Sequence, residues 1–313
     1  MRFLVTGGAG HLGSNLINKL GQLEGIEEIV VVDNMSTQRY GSFFNLPFKS
    51  KIKLKVGDVR ELSVQNSMFD RPFTAVIHLS ALTDASHSLV EPKEIFANNF
   101  GSTDCLIDIC SKLSIPFIFP SSTSIYHPKS TEKKVDEEAL DILGLSPYSD
   151  CKIREENAIR KLSGTLQFCI LRLGTIFGVS QGMRFHTAVN KFCWQASIGE
   201  ELTVWKTALN QTRPYLSVND FSSAITHIIT NEIYRNQTYN LVTCNEPVTQ
   251  ILEYIEKFSG TRPKIKFTES KLMNDLSFEV LNQKFKDTNF SFEGNLEIEI
   301  SETMELLRGL RNA

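Results

Sequence analysis

The first thirty-four residues constrain this chain more than any other stretch. Arg2-Phe3-Leu4-Val5 is a short apolar run, and Thr6-Gly7-Gly8-Ala9-Gly10-His11-Leu12-Gly13 follows at once. Ser14 to Leu23 reads as a helix, because Leu16, Ile17, Leu20 and Leu23 recur at helical spacing. Ile29-Val30-Val31-Val32 is a second buried strand, and Asp33 ends it. The order is strand, glycine loop, helix, strand, acid. Glycines permit a tight turn and let a pyrophosphate approach the backbone, and the helix N-terminus offers it free N–H groups and a positive dipole end. Gly8, Gly10 and Gly13 satisfy G-x-G-x-x-G, while Gly7, Gly10 and Gly13 satisfy G-x-x-G-x-x-G. Asp33 stands twenty residues after Gly13, which suits a carboxylate accepting from adenosine ribose hydroxyls. A carboxylate there repels a 2′-phosphate, so the unit predicts NAD rather than NADP.

The rest of the chain repeats this rhythm. Lys51 to Val56 is a third strand, closed by Gly57-Asp58-Val59, and Thr74 to Leu79 is a fourth, leading into Ser80-Ala81. Pro92 to Leu113 reads as one long helix carrying Asn98, and Phe117-Ile118-Phe119 as a fifth strand ahead of a hydroxyl cluster, Ser121-Ser122-Thr123-Ser124. Ser146-Pro147 opens a helix running to about Leu162, with serine as cap and proline in the first turn. Phe168 to Leu173 is a sixth strand. Strands alternating with helices predict an α/β fold with a doubly wound parallel sheet, whose ligands sit at the carboxyl ends of the strands.

Beyond Phe177-Gly178 the alternation fades. Helices are expected at Met183 to Ile198, Asp220 to Thr230, Val248 to Phe258 and Ile300 to Leu310. Short strands are expected at Leu202 to Trp205, Tyr215 to Val218 and Lys264 to Phe267. The organisation predicted is a dinucleotide-binding domain over 1–178, to which about 216–243 returns, and a smaller mixed α/β substrate lobe over 179–313.

Bulk properties remove other classes. The formal net charge is −3 over 313 residues, which gives no electrostatic footprint for nucleic acid or an anionic membrane. The apolar runs are too short to span a bilayer, and the chain starts directly with a strand, so no signal peptide is expected. The six cysteines, Cys105, Cys110, Cys151, Cys169, Cys193 and Cys244, make no C-x-x-C pair and no zinc-site spacing. A reducing cytoplasm is the expected compartment.

Chemistry is carried by Tyr148 and Lys152, the one Tyr-x-x-x-Lys match in the chain. At i and i+4 they share one helix face. A lysine cation beside a phenol favours the phenolate and lowers its pKa. Such a tyrosine takes a proton from an alcohol while hydride leaves the same carbon. Ser122, at a strand end where it can meet the tyrosine, is a second hydrogen-bond partner for the reacting oxygen.

With these residues in place the chain resembles an extended short-chain dehydrogenase/reductase of the nucleotide-sugar epimerase/dehydratase family, most strongly over 1–178. Thr6-Gly7-x-x-Gly10-His11-Leu12-Gly13 is similar to that family's phosphate loop, followed by Asp33-Asn34 at the ribose. Asp58-Val59 resembles its adenine-contacting pair, and Leu79-Ser80-Ala81 its nicotinamide-side strand end. Asn98, three residues before Gly101, matches its helix asparagine. Ser122, Tyr148 and Lys152 match its catalytic hydroxyl, base and lysine, and Arg172 with Ile176-Phe177-Gly178 resembles the stretch after the sixth strand. Arg213-Pro214-Tyr215-Leu216-Ser217 resembles the strand whose arginine holds a nucleotide diphosphate. The resemblance implies a Rossmann-type fold, a nucleoside-diphosphate sugar as substrate, and a homodimer paired through about 94–113 and 147–162, where Ile107, Cys110 and Ile159 either line the seam or face the sheet.

Departures separate the reactions. Family 4,6-dehydratases carry an acid pair after the catalytic threonine; here those positions are Thr123 and Ser124, so net dehydration is disfavoured, and no nearby glutamate supports decarboxylation. Thr175 replaces a sugar-contacting asparagine, Lys206-Thr207-Ala208-Leu209-Asn210 replaces a glycine-rich turn, and His127 a glycine. These changes are expected to face the sugar, together with Ser122, Thr123 and Arg213. Asp84 and His87, in a loop near the expected pocket, are read as solvated, with contact to the substrate as the alternative. The leading expectation is an epimerase working by oxidation at C4. A net 4-dehydrogenase or ketoreductase uses the same residues, and a non-catalytic NAD(H)-binding sensor is the alternative of another class.

Overall fold

Seven strands, most of them runs of Val, Ile, Leu and Phe, assemble into one parallel sheet. The computed structural model describes residues 1–47, 51–84, 88–127, 134–260, 262–269 and 277–310; His87 lies outside them. The first half runs β1 (Arg2–Thr6), α1 (His11–Gly21), β2 (Glu28–Asp33), β3 (Lys51–Val56), α2 (Leu62–Met68), β4 (Ala75–His78), α3 (92–113), β5 (Phe117–Ser122), β6 (Lys134–Val135), α4 (Pro147–Lys161) and β7 (Phe168–Leu173). The second runs β8 (Thr175–Phe177), α5 (Ala188–Ser197), β9 (Leu202–Trp205), β10 (Thr212–Ser217), α6 (Val218–Thr230), β11 (Gln237–Leu241), β12 (Cys244–Pro247), α7 (Val248–Ser259), β13 (Ile265–Thr268), β14 (Glu279–Val280), α8 (Gln283–Lys286) and α9 (Leu296–Leu306).

The sheet order is β11-β7-β5-β4-β1-β2-β3, with every neighbouring pair parallel. The chain winds outward from β1 to β3, then crosses back to lay β4 on the other side of β1. This reversal opens a crevice between the carboxyl ends of β1 and β4. Each sheet face is covered by helices. On one face Leu16, Ile17 and Leu20 of α1 and Phe221, Ile225 and Ile228 of α6 pack on Val5, Ile29 and Val31. On the other, Leu106, Ile107 and Cys110 of α3 and Ile159 of α4 pack on Leu4, Val30, Phe117 and Phe119. Ile107, Cys110 and Ile159 therefore face the sheet and are withdrawn from any seam between subunits.

β11 pairs with β7 from Gln237↔Cys169 to Leu241↔Leu173. α6 lies on α1, where Asn15 Nδ2 donates to Asn219 Oδ1 at 3.1 Å and Lys19 Nζ to Ser223 Oγ at 2.7 Å. The smaller lobe has its own core around Phe177, Phe192, Tyr215, Ile251 and Ile300, built on the sheet β12-β10-β8 and the pair β13-β9.

Four helices differ from expectation, each for a reason the structure shows. Gly10, in extended conformation, caps α1, so the helix starts at His11 rather than Ser14. α3 widens to a π turn over Phe96–Phe100, where Asn99 leaves the helix face to bond both backbone groups of Leu82 at 2.8 and 2.9 Å. α5 begins at Ala188, not Met183, because the preceding strap is pinned to the glycine loop: Gly182 N–H donates to Ser14 Oγ at 2.8 Å. At the C-terminal end, Asn295 caps Ile298 N–H at 3.0 Å and starts α9 at Leu296 rather than near Ile300. Among the described residues no helix is long and apolar enough to cross a membrane, and all six cysteines are free thiols.

Candidate active site

The glycine loop leaves β1 as a backbone cradle. Gly7 takes a left-handed φ of +68°, and a Cβ there would lie 2.7 Å from the Leu79 carbonyl carbon and the Ser80 nitrogen. A Cβ on Gly13 would lie 2.5 Å from the Gly7 carbonyl oxygen, so glycine lets α1 approach the loop. No side chain caps α1 and its first turn holds no acid, which leaves the helix N-terminus open to an anion. Asp33, at the end of β2, accepts from Ala9 N–H at 2.9 Å and Met35 N–H at 2.8 Å, which fixes the carboxylate at the mouth of the loop. Asp58 follows β3, with both carboxylate oxygens bonded by Arg60 at 2.9 and 2.5 Å. The cradle, the uncapped N-terminus and the carboxylate fit a dinucleotide: Gly7, Gly10, His11, Leu12 and Gly13 would hold its pyrophosphate, Asp33 and Asn34 a ribose, and Asp58 and Val59 the adenine side. Leu79, Ser80, Ala81 and Asn98 line the same cavity, of about 960 Å³.

The hydroxyl groups and the lysine meet over the carboxyl ends of β4 and β5. Ser122 ends β5 and caps the turn that follows, accepting from Ser124 N–H at 3.1 Å with Ser124 Oγ 2.9 Å away. A reciprocal Ser146–Ser149 capping box starts α4. In its first turn this helix presents Tyr148, and one turn later Lys152, to the same wall, where Ser122 is a hydrogen-bond partner of Tyr148. Lys152 is buried, with Nζ 4.4 Å from the Phe119 ring centre and 3.1 Å from Glu155 Oε2.

The electrostatics correct one expectation. Loss of solvent at the cavity wall pushes the Tyr148 phenol up; Lys152 and the Ser122 hydrogen bond pull it down, Glu155 pushes it up again, and the net direction is upward. Burial would lower Lys152, but Glu155, with Tyr148 and Cys151, outweighs it and the ammonium is held above its ordinary range. The pull of the lysine on the phenol is real, yet Glu155 counters part of it. Nearby, burial lowers His11 to about 4 and His78 to about 3, so both imidazoles are neutral at pH 7.

The cavity continues into the smaller lobe. Thr175 on β8 and Arg213 on β10 are carried by strands paired in parallel, Tyr215 opposite Thr175, and both line it. Thr123 lines it too, but its hydroxyl donates to the Leu173 carbonyl at 3.1 Å. The residues expected at the cofactor border one cavity together with Ser122, Thr123, Thr175 and Arg213. Other expectations change. Among the described residues, His127, Lys206, Thr207, Leu209 and Asn210 do not line it; His127 N–H is instead tied to the Asp141 carbonyl at 2.8 Å. Asp84 forms part of the cavity wall, near Arg184. Sequence reasoning misses Arg184, His186 and Lys191, which line the cavity, because its pattern predicts one helix over Met183 to Ile198. Ser180-Gln181-Gly182, a turn-rich run just before it, was the available signal. Arg184 donates to Thr83 Oγ1 at 2.6 Å, and burial lowers His186 to about 4.

Comparisons with known proteins agree with this geometry. A family model described as the NAD dependent epimerase/dehydratase family matches residues 3–241, from β1 to the last residue of β11. A trifunctional UDP-glucose 4,6-dehydratase/UDP-4-keto-6-deoxy-D-glucose 3,5-epimerase/UDP-4-keto-L-rhamnose-reductase of Arabidopsis thaliana is 25% identical over 96% of this chain, which spans only 46% of that longer protein. A protein described as a putative UDP-glucose 4-epimerase of Methanocaldococcus jannaschii is 25% identical, with 83% of each chain covered. The structure of Thermus thermophilus UDP-glucose 4-epimerase in complex with NAD superposes with a TM-score of 0.84 over 99% of both chains at 20% identity, which shows a shared fold.

Proposed function

This chain belongs to the NAD-dependent epimerase/dehydratase family, with NAD as its cofactor, and from its cavity we propose that it is a nucleotide-sugar epimerase acting by oxidation at C4. The observation that carries the reading is the convergence of Ser122, Tyr148 and Lys152 on a cavity that the glycine cradle also lines. Bound NAD supplies reversible hydride acceptance at C4. Tyr148 takes the C4 hydroxyl proton and later returns it, acting through the phenolate that Lys152 and Ser122 favour against the desolvation that raises it. Lys152 stabilises the phenolate and Ser122 orients the reacting oxygen. Arg213 and Lys191, cationic residues in the lobe half of the cavity, hold the diphosphate while the 4-keto sugar turns its other face. Thr123 and Ser124 supply no acid for eliminating water, which supports epimerisation over dehydration.

The test starts from the purified protein. It is denatured to quantify released NAD⁺ and NADH, and the native protein is incubated with UDP-, GDP-, CDP- and dTDP-sugars without added cofactor. A stereoisomer formed with no lasting NADH is the expected result. Lasting NADH makes the enzyme a net dehydrogenase, and no turnover of any sugar removes the proposal. Tyr148→Phe is expected to lower kcat by about 10²-fold or more; turnover within a few-fold of wild type ends the assignment of Tyr148 as the base.

A further inference from the structure

A buried ammonium needs a counter-charge, or it gives up its proton. The counter-charge of Lys152 lies three residues on along α4. Glu155 Oε2 is 3.1 Å from Lys152 Nζ, with the two side chains only 1% and 4% exposed. The other carboxylate oxygen, Oε1, accepts from Thr103 Oγ1 of α3 at 2.5 Å. Thr103 Oγ1 lies 3.2 Å from His78 Nε2, and His78 Nδ1 lies 2.7 Å from Thr6 Oγ1 at the end of β1. Thr6 Oγ1 in turn accepts from Ser80 N–H at 3.2 Å. The direction of each bond is forced by the carboxylate. Thr103 gives Glu155 its only proton, so it accepts from His78 Nε2–H. His78 Nδ1 then has no proton and accepts from the Thr6 hydroxyl. One buried line thus joins the lysine to the strand end beneath the glycine loop.

The groups that bear on Lys152 come from three elements. Tyr148, Cys151 and Glu155 share its helix, with Arg154 beside Cys151. β4 contributes His78 and β5 the Phe119 ring. Of these, Glu155 is the carboxylate. We infer that Glu155 is a positioning residue for the catalytic pair: its carboxylate, held by the Thr103–His78–Thr6 line, keeps Lys152 protonated and placed next to Tyr148. The inference rests on the reading of Tyr148 as base, and it sets how acidic that base is: the carboxylate sustains the cation and also opposes part of its pull on the phenol.

The test reads the lysine directly. Lysine side chains of the full-length protein are labelled with ¹³C at Cε, the Lys152 resonance is assigned by its loss in Lys152→Arg, and its titration is followed through the alkaline range. In the wild type the midpoint is expected above the ordinary lysine range. Glu155→Gln is expected to lower it by at least about one pH unit. Thr103→Val, which leaves the carboxylate but removes its donor, is expected to lower it by less. Glu155→Asp is expected to restore part of the Gln shift. A midpoint unmoved in both Glu155→Gln and Thr103→Val overturns the inference, and if the Gln variant does not fold, Thr103→Val decides alone. A protein that turns over no nucleotide sugar would refute the proposed reaction and still give a readable lysine titration, so the two failures are told apart.

Discussion

Glu299 offers a stability switch at the junction of the two lobes. It stands in the first turn of α9 and is 5% exposed. Its Oε2 has no hydrogen-bond partner among the described residues and lies where a Cβ on Gly178 would fall, 2.1 Å away. Desolvation raises this carboxyl to about 7; Asp220 adds to the rise, and a hydrogen bond with Ser217 opposes it. The folded protein therefore holds a proton that the unfolded chain has already lost. The stability this contributes is complete below about pH 4.5, falls as pH rises toward 7, and is gone above it. A shift of that size corresponds to about 3 kcal/mol. Glu299→Gln replaces the acid with a neutral side chain of the same shape. Urea unfolding of variant and wild type at pH 5 and pH 8 measures the effect. The variant should gain roughly 2–3 kcal/mol on the wild type between the two pH values. An equal difference at both would refute the reasoning, because a purely steric effect of the amide has no pH dependence.

Other perturbations test other parts of the molecule. Gly13→Ala puts a Cβ 2.5 Å from the Gly7 carbonyl oxygen and 2.6 Å from Gly8 Cα, so the glycine loop must move. Co-purified NAD should fall at least about tenfold with about 1–3 kcal/mol of lost stability, and undiminished NAD content would show that the cradle does not hold it. Asp33→Ala should weaken NAD binding measured by calorimetry, and it should also loosen the loop by freeing Ala9 N–H; unchanged affinity would remove Asp33 from the site. Glu156→Gln breaks a buried pair in which Arg172 Nη2 lies 2.9 Å from Glu156 Oε2. It should cost about 3–5 kcal/mol in urea unfolding, and a loss under 1 kcal/mol would show the pair to be dispensable.

The first domain is legible because its signals are local. The apolar runs, the glycine spacing, Asp33, and the Ser146-Pro147 start of α4 each act within a few residues, so strand, turn and helix follow from near neighbours. The Tyr148–Lys152 pair is legible for the same reason: a helix puts i and i+4 on one face whatever surrounds it. The smaller lobe is less legible. Its boundaries depend on distant contacts, such as Gly182 docking on the glycine loop, which ends the strap and delays α5.

The charge balance of the site belongs to the tertiary structure alone. In sequence, Lys152 and Glu155 are one of many helical pairs at i and i+3, and such a pair in water counts for little. Only folding of α3 and α4 against β4 and β5 removes the water and brings Thr103 and His78, 52 residues or more distant in the chain, to fix the carboxylate. In sequence likewise, Ile107, Cys110 and Ile159 fit a subunit seam as well as a core, and the sheet face decided between them. What the sequence determined by itself was the order of elements and the identity of the reacting groups. What the fold decided was which of those groups lost their solvent, and therefore which charges act at full strength.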